Sequence, residues 1–263
     1  MDGRSARLGE ELDDLTLATA LYFTRAVAFW QRPDETLLPD LRRSAEGFRR
    51  AGDLSGEGLA YISLGLAQLG AVVPPDPVGA QESLERALAS MREQGDSWGE
   101  GFALITIGRV ELLLGRLDSA LDRFASSLDI AKRRGDRHAE SIAQYHIGWV
   151  RLLLGQPDEA RTRFGQNLDL SCRLAHDEGI AYGLEGLTAV AAADGEAERA
   201  GLLFGASEVL RERTGLYNMQ PFIVTTPFVD RLLDGPDALT FEAARGRGRA
   251  LPVADAVSFA LGG

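Results

Sequence analysis

The chain has 263 residues, of which 45% are hydrophobic and 25% charged, and its formal net charge is −11. This composition is typical of a folded protein and is too apolar for a disordered one. The acidic balance argues against nucleic acid or an anionic membrane as the main partner, because both need a basic surface.

Small residues recur along the chain at a fixed step. Alanine recurs every forty residues, and a bulky apolar residue follows it four positions later each time. The members are Ala80, Ala120, Ala160 and Ala200, followed by Leu84, Phe124, Phe164 and Phe204. Glycines and glutamates recur less strictly, at Gly65, Gly108, Gly148 and Gly186 and at Glu57, Glu100, Glu140 and Glu178. A fixed period in this range predicts a stacked array in which each unit buries its apolar face against its neighbours.

Within each period the apolar residues follow the three- and four-residue spacing of helices. The pattern predicts five helix pairs, at residues 10–31 and 34–50, 54–71 and 77–93, 97–114 and 118–133, 137–154 and 157–173, and 177–193 and 196–213. Residues 216–226 contain Pro221 and a β-branched run, which predicts an extended crossing segment. Short helices at 227–234, 236–246 and 252–261 should close the array. We therefore expect a domain at 1–215 and a C-terminal segment at 216–263.

Glycine and polar residues predict where these helices begin and end. Gly115 and Gly155 suit the left-handed residue that ends a first helix, and Asp118 and Asp158 suit the start of a second. Ser97 with Glu100 forms a capping box. The glycines inside the first helices cost about 1 kcal/mol each relative to alanine, so we expect close contact there with the recurring alanines of the second helices.

Two groups of residues resemble a known family. The spacing of Gly108, Ala120 and Phe124 resembles the tetratricopeptide signature, with a longer period like that of MalT-like regulators. The tail, from Ala200-Gly-Leu-Leu-Phe-Gly-Ala to Asp255-Ala-Val-Ser-Phe-Ala-Leu, resembles the C-terminal end of bacterial ATPase regulators of the LuxR and AfsR/SARP type. The resemblance implies an all-α, right-handed α-solenoid of tetratricopeptide-like helix pairs with C-terminal capping helices.

In that family a DNA-binding module and a P-loop ATPase precede the tetratricopeptide sensor region. The sequence has no GxxxxGK[ST] motif and no helix-turn-helix candidate before the repeats. The family's ATPase and DNA-binding roles can therefore be assigned to no residue of this chain. The chain is therefore expected to be either a separated sensor region, associated with upstream ATPase and DNA-binding modules, or a free-standing relative.

The histidines and the cysteine form no recognisable catalytic or metal-binding pattern. His138, His146 and His176 have neither HExxH spacing nor cysteine pairs around them, and Cys172 has no Cys or His motif neighbour. No GxSxG occurs. The arginine run from Arg245 to Arg249 could contact phosphate, but a solvated helix end and turn explains it better. We expect a non-enzymatic chain without cofactor or metal.

The groove of tetratricopeptide arrays is lined by the first helices, and the resemblance carries that role to matching positions here. The partner-binding candidates are Ile62, Leu66, Ile105, Arg109, Tyr145 and Trp149. Arginine and amphipathic aromatics are enriched in binding hot spots, although core packing is the stronger interpretation of Trp149. An arginine beside an aromatic ring suits an acidic or C-terminal peptide segment.

The sequence as a whole favours a protein- or peptide-binding sensor or interaction module of a bacterial transcriptional regulator. The alternative is a free-standing adaptor or peptide receptor. No apolar run approaches membrane-spanning length, and the first residues do not resemble a signal peptide. One cysteine cannot form an internal disulfide, so a cytoplasmic location is expected. The net charge of −11 predicts no membrane partner and no direct nucleic-acid contact.

Overall fold

A computed structural model describes residues 13–31, 34–214 and 224–262, and this part of the chain is all-α, with thirteen helices and no strand. The helices are α1 (Asp14–Gln31), α2 (Leu37–Ala51), α3 (Leu54–Gly70), α4 (Pro77–Gln94), α5 (Ser97–Leu113), α6 (Leu117–Arg134), α7 (Arg137–Leu153), α8 (Pro157–Arg173), α9 (Asp177–Ala193), α10 (Ala197–Thr214), α11 (Thr226–Leu233), α12 (Ala238–Ala250) and α13 (Val253–Leu261). The predicted fold class of successive helix pairs is confirmed. None of the described helices is long and apolar enough to cross a membrane.

The chain forms two compact units, Met1–Val110 and Glu111–Gly263, and the boundary falls within α5. In the first unit α1 packs on α2, α2 on α3 and α3 on α4. In the second unit α6 to α10 pack in the same consecutive manner, and α11 to α13 pack on the last helices of that series. Each unit therefore builds its core from helices that are neighbours in sequence, as a repeat architecture requires.

The turns between helices follow one design. Gly52, Gly95 and Gly135 have φ values of 78°, 73° and 68° and end the second helix of a pair. The next residue is an aspartate whose carboxylate accepts the backbone N–H three positions later, at distances of 2.8 to 2.9 Å, in Asp53, Asp96 and Asp136. Each aspartate satisfies one of the free N–H groups that a helix start leaves unpaired.

Three predicted caps are wrong by one or two residues. Asp96, and not Ser97, caps α5, because the Asp96 carboxylate accepts the Gly99 N–H at 2.9 Å. Asp118 and Asp158 lie in the first turns of α6 and α8 and do not cap them. Those helices begin after Arg116 and Gln156, neither of which makes a side-chain cap. The acidic residues still lie where the helix dipole favours a negative charge.

The recurring residues form the core of each repeat. Ala80, Ala120, Ala160 and Ala200 are fully buried, and so are Leu84, Phe124 and Phe164. The helical glycines lie against the bulky residue more than against the alanine that we expected. A Cβ at Gly148 would lie 2.7 Å from the Phe164 ring, and one at Gly186 would lie 2.3 Å from it. One ring therefore fills the space between α7 and α9, and only glycine on both sides leaves room for it.

The C-terminal helices belong to the second unit. α12 packs along α10 with backbone contact, since a Cβ at Gly205 would lie 2.1 Å from the Arg245 carbonyl oxygen. α11 packs on α9, and α13 contacts α8, α9 and α10. α12 continues to Ala250, so the arginine run lies at a helix end as expected, but the turn predicted within it is wrong. Most of the predicted extended segment lies outside the described residues, and the division at residue 215 stays a prediction.

Candidate binding face

The six candidate residues lie on the first helices of successive pairs, and five of them are buried. Their exposed fractions are 1% for Ile62, 7% for Leu66, 7% for Ile105, 7% for Tyr145 and 1% for Trp149. Arg109 is half-buried. Ile62, Leu66, Ile105 and Arg109 belong to the first unit, whereas Tyr145 and Trp149 belong to the second. That the six residues line one groove stays a prediction.

In the first unit, α5 presents a stripe of side chains along one side. Trp98, Phe102, Ile105 and Arg109 follow one another at steps of four, three and four residues, which keeps them on one helix face. Trp98 is 46% exposed and Phe102 is 38% exposed. Their ring centroids are 5.6 Å apart and the rings are tilted by 37°. We call these four residues the α5 stripe; it joins an accessible aromatic pair to a cationic side chain.

Trp98 was not among the sequence candidates. It lies in the first turn of α5, inside the segment Gly95-Asp-Ser-Trp-Gly-Glu100, in which Gly95 ends α4 and Asp96 caps α5. The signal that could have found it is its spacing, because Trp98 precedes the candidate Ile105 by seven residues, two turns along the same face of α5. The Ser55 hydroxyl on α3 donates to the Asp96 carboxylate at 3.2 Å and so links α3 to the turn that carries Trp98.

In the second unit, the candidate aromatic residues form a packed cluster. Tyr145 stacks on Tyr182 with centroids 4.9 Å apart, and Trp149 lies edge-on to Tyr145 at 6.0 Å. The guanidinium of Arg211 lies over the Tyr182 ring at 4.8 Å. The ring of Phe228, on α11, lies 6.2 Å from that of Trp149. α11, the first of the three C-terminal helices, therefore packs against the tryptophan that we expected in a groove.

The electrostatics of this cluster favour a fixed arrangement. Burial raises the pKa of Tyr145 above its ordinary value, so its phenol is neutral. Burial disfavours the charged form of Arg211, but its bidentate pair with Glu185, whose Nη2–Oε2 distance is 2.7 Å, raises the pKa of Arg211 overall. An arginine held on both a carboxylate and an aromatic face has little freedom to change partner.

Other side chains with possible chemistry have structural roles. The His176 imidazole caps α9 by accepting the Gly179 N–H at 3.0 Å, and His146 stacks on Phe124 at 4.9 Å. Burial raises the pKa of the Cys172 thiol, which opposes formation of the thiolate. Among the described residues, no group of three or more His, Cys, Asp or Glu side chains could hold a metal ion.

The arginine run on α12 is engaged with α10. Arg245 pairs with Glu208, Arg247 with Glu198 and Arg249 with Glu212. The Arg245 guanidinium also lies 5.3 Å from the centroid of the Phe204 ring. These ion pairs join α10 to α12, and they account for the arginines without a phosphate ligand.

Residues 103–173 match the model of the tetratricopeptide repeat family. The fold is similar to a signal transduction ATPase with numerous domains (STAND) protein with a tetratricopeptide repeat sensor, from Pyrococcus horikoshii. That match has a TM-score of 0.61 and 16% identity, and it covers 93% of this chain and 37% of that one. The fold is also similar to a Rap protein complexed with competence and sporulation factor. Here the TM-score is 0.65 and the identity 11%, with 97% of this chain and 80% of that one covered. No curated protein sequence matches the chain.

Proposed function

We propose that this chain is a non-enzymatic module that binds a peptide or an extended protein segment along its first helices. The α5 stripe is the observation that carries the proposal. Trp98 and Phe102 expose 46% and 38% of their surfaces on adjacent turns, next to buried apolar residues of the same helix. Exposed aromatic side chains in contact with a packed interior are typical anchors of a binding interface.

Arg109 gives the site its selectivity for charge. It lies seven residues after Phe102, two turns further along the same face of α5. A guanidinium can hold a carboxylate through two parallel hydrogen bonds while nearby rings cover an apolar side chain. The natural ligand is therefore an acidic or C-terminal peptide segment with at least one large apolar residue.

The buried candidates act by supporting the face. Ile62, Leu66 and Ile105 are at most 7% exposed, so they stabilise the first helices of the first unit by packing. Tyr145 and Trp149 are held by Tyr182 and Phe228, so they keep the first helices of the second unit in register. Substitution of Ile62, Leu66 or Ile105 should weaken ligand capture indirectly, by displacing helices of the first unit, without loss of a direct ligand contact.

The similar structures support a sensor role. One is a STAND protein with a tetratricopeptide repeat sensor, and the other is a Rap protein complexed with competence and sporulation factor. The chain spans 37% of the length of the ATPase, which fits a sensor region attached to further modules. In the fuller proposal the chain is the cytoplasmic sensor of a bacterial transcriptional regulator of the LuxR or AfsR/SARP type. Ligand capture would shift the helix pairs and thereby change the activity of an ATPase and a DNA-binding module.

A second candidate is a free-standing receptor or adaptor. It is favoured by the Rap protein, of which this chain covers 80%. The two proposals differ in what precedes the repeats, so the upstream sequence of the gene discriminates between them. An in-frame P-loop and DNA-binding module supports the regulator. A start codon at Met1 with no such module supports the receptor.

The test uses a partner recovered with the parent chain as bait, and measures its affinity for variants by isothermal titration. Trp98→Ala, Phe102→Ala and Arg109→Ala should each weaken binding by at least about 1 kcal/mol, with helicity unchanged. Leu239→Ala is the matched control, because Leu239 is 86% exposed on α12 and lies outside the stripe. Equal affinity of all four variants would show that the partner binds elsewhere and would refute the α5 stripe.

A further inference from the structure

A polar cleft of about 370 Å³ opens on the second unit, separate from the residues proposed above to bind peptide. It lies where the end of α6, the start of α7 and the length of α8 meet. Its volume falls in the lower part of the range for small-molecule sites. The residues that line it are Lys132, Arg137, Glu140, Gln144, Arg163, Gln166, Asp169, Leu170, Arg173 and Leu174.

The cleft is basic in a protein that is acidic overall. Four of its side chains are cationic and two are carboxylates, whereas the whole chain carries a net charge of −11. Arg137 pairs with Glu140 at 2.7 Å, and Arg173 pairs with Asp169 at 3.0 Å. The remaining two cations, Lys132 and Arg163, give the cleft its excess of positive charge.

The earlier repeats explain why the Lys132 ammonium has no carboxylate partner in the described part of the chain. In the first unit, a cation in the last turn of a second helix pairs with a glutamate eight residues later. Arg49 pairs with Glu57 at 2.9 Å, and Arg92 pairs with Glu100 at 2.8 Å. Each pair neutralises the junction between one helix pair and the next.

At the third junction the same spacing gives a different pairing. Lys132 precedes Glu140 by eight residues, but Glu140 pairs with Arg137 from its own helix. In the part of the chain that the structure describes, the exposed Lys132 ammonium makes no ion pair or hydrogen bond. Because Arg137 forms the ion pair with Glu140, the Lys132 ammonium has no carboxylate partner among the described residues at the rim of the cleft.

Arg163 is held without being neutralised. Its Nη1 donates to the Gln144 Oε1 at 3.1 Å and to the Gln166 Oε1 at 3.5 Å, and both partners are uncharged amides. Gln144 is only 3% exposed, so it fixes the guanidinium from below. A positioned guanidinium with neutral partners keeps its charge available for an incoming anion, and its planar fork matches phosphate and carboxylate groups.

We propose that this cleft binds a small dianionic ligand, a phosphomonoester or a dicarboxylate, between Lys132 and Arg163. The excess of two positive charges matches a dianion, and a phosphomonoester carries about −1.5 to −2 at pH 7. Leu170 and Leu174 supply an apolar wall for the rest of the ligand. Binding would link the end of α6 to α8, so the ligand would tie two successive repeats together.

The experiment titrates the full chain with inorganic phosphate and, separately, with malonate, following binding by calorimetry and by the thermal midpoint. Lys132→Gln and Arg163→Gln should each weaken binding about tenfold, as expected for the loss of one charge-assisted hydrogen bond. Lys132→Arg should retain it. Arg133→Gln is the matched control, because Arg133 is exposed on α6 beside Lys132, does not line the cleft and changes the net charge equally.

The two probes identify the anionic group, since tighter binding of phosphate indicates a phosphoryl ligand and tighter binding of malonate a dicarboxylate. A loss of affinity in Arg133→Gln as large as in Lys132→Gln would overturn the proposal, because it would reduce the effect to overall charge. The proposal would also be overturned if neither phosphate nor malonate bound at low-millimolar concentration. The Lys132 variants decide the result even if Arg163→Gln lowers stability, since Lys132 is exposed and unpaired with any described residue.

Discussion

The alanines that recur every forty residues mark positions where the core of each repeat has no spare volume. Ala120 and Ala160 are fully buried, and four residues later Phe124 and Phe164 are fully buried as well. Interiors are packed as densely as organic crystals, so added methylene groups force neighbouring side chains or helices to move. A small residue at this step is therefore a requirement of packing and not a preference of the helix.

Ala120→Leu should lower the free energy of unfolding by about 1–3 kcal/mol, because the longer side chain overpacks the core of the repeat. Ala125→Leu is the control, since Ala125 is exposed on the same helix and leucine is nearly as good a helix former. Urea unfolding of both variants measures the difference. If the two variants are equally stable, Ala120 does not face a neighbouring helix, and packing does not explain the recurrence of alanine.

At this scale the sequence predicts the buried positions better than the exposed ones. Ala120 and Phe124 recur in phase because the same packing repeats, so their burial is readable from the period. Trp98 occurs once, and its exposure depends on what surrounds α5 in three dimensions. Lys132 keeps the spacing from Glu140 that Arg92 keeps from Glu100. Only side-chain geometry shows that Glu140 has a different partner.

Helix ends were predictable from local chemistry. Gly95 and Gly135 adopt left-handed conformations that other residues rarely reach, so the second helices end within one residue of the predicted positions. α12 is the exception, because it continues through Gly246 and Gly248 to Ala250. A Cβ at Gly248 would lie 2.1 Å from the Leu202 carbonyl oxygen on α10. Gly248 therefore allows close contact between α12 and α10 and does not form a turn. Composition alone does not distinguish these two uses of glycine.

Gly205→Ala should weaken the packing of α12 on α10. Its Cβ would lie 2.1 Å from the Arg245 carbonyl oxygen, and backbone cannot move aside as a flexible side chain can. We expect the free energy of unfolding to fall by about 1–3 kcal/mol although alanine favours the helix. Limited proteolysis should also cut α12 faster.

Gly246→Ala is the matched control for that change. Gly246 lies in the same helix pair, but a Cβ there meets no atom within 4 Å. It should raise the free energy of unfolding by up to about 1 kcal/mol, the difference in helix propensity. Opposite signs for the two variants support direct backbone contact between α10 and α12. Equal stabilisation by both would contradict it.

For the whole molecule, the net charge of −11 and the local charge of the cleft act on different classes of anion. A long polyanion experiences the summed field of the protein, which repels it. A small dianion in a cleft responds mainly to groups within about 8–10 Å, the screening length at moderate ionic strength. A protein that is acidic overall can therefore bind a small phosphate compound and still exclude nucleic acid.

We expect no binding of a DNA duplex to this chain at micromolar concentration and about 50 mM salt, conditions under which basic proteins bind DNA nonspecifically. Under the same conditions inorganic phosphate should bind the parent chain and should bind Lys132→Gln more weakly. Fluorescence anisotropy with a labelled duplex and calorimetry with phosphate measure the two results on one sample. Duplex binding that weakens with salt and is displaced by phosphate would contradict this prediction. It would mean that the cleft belongs to a larger basic surface, and that the acidic remainder of the chain does not determine which anions reach it.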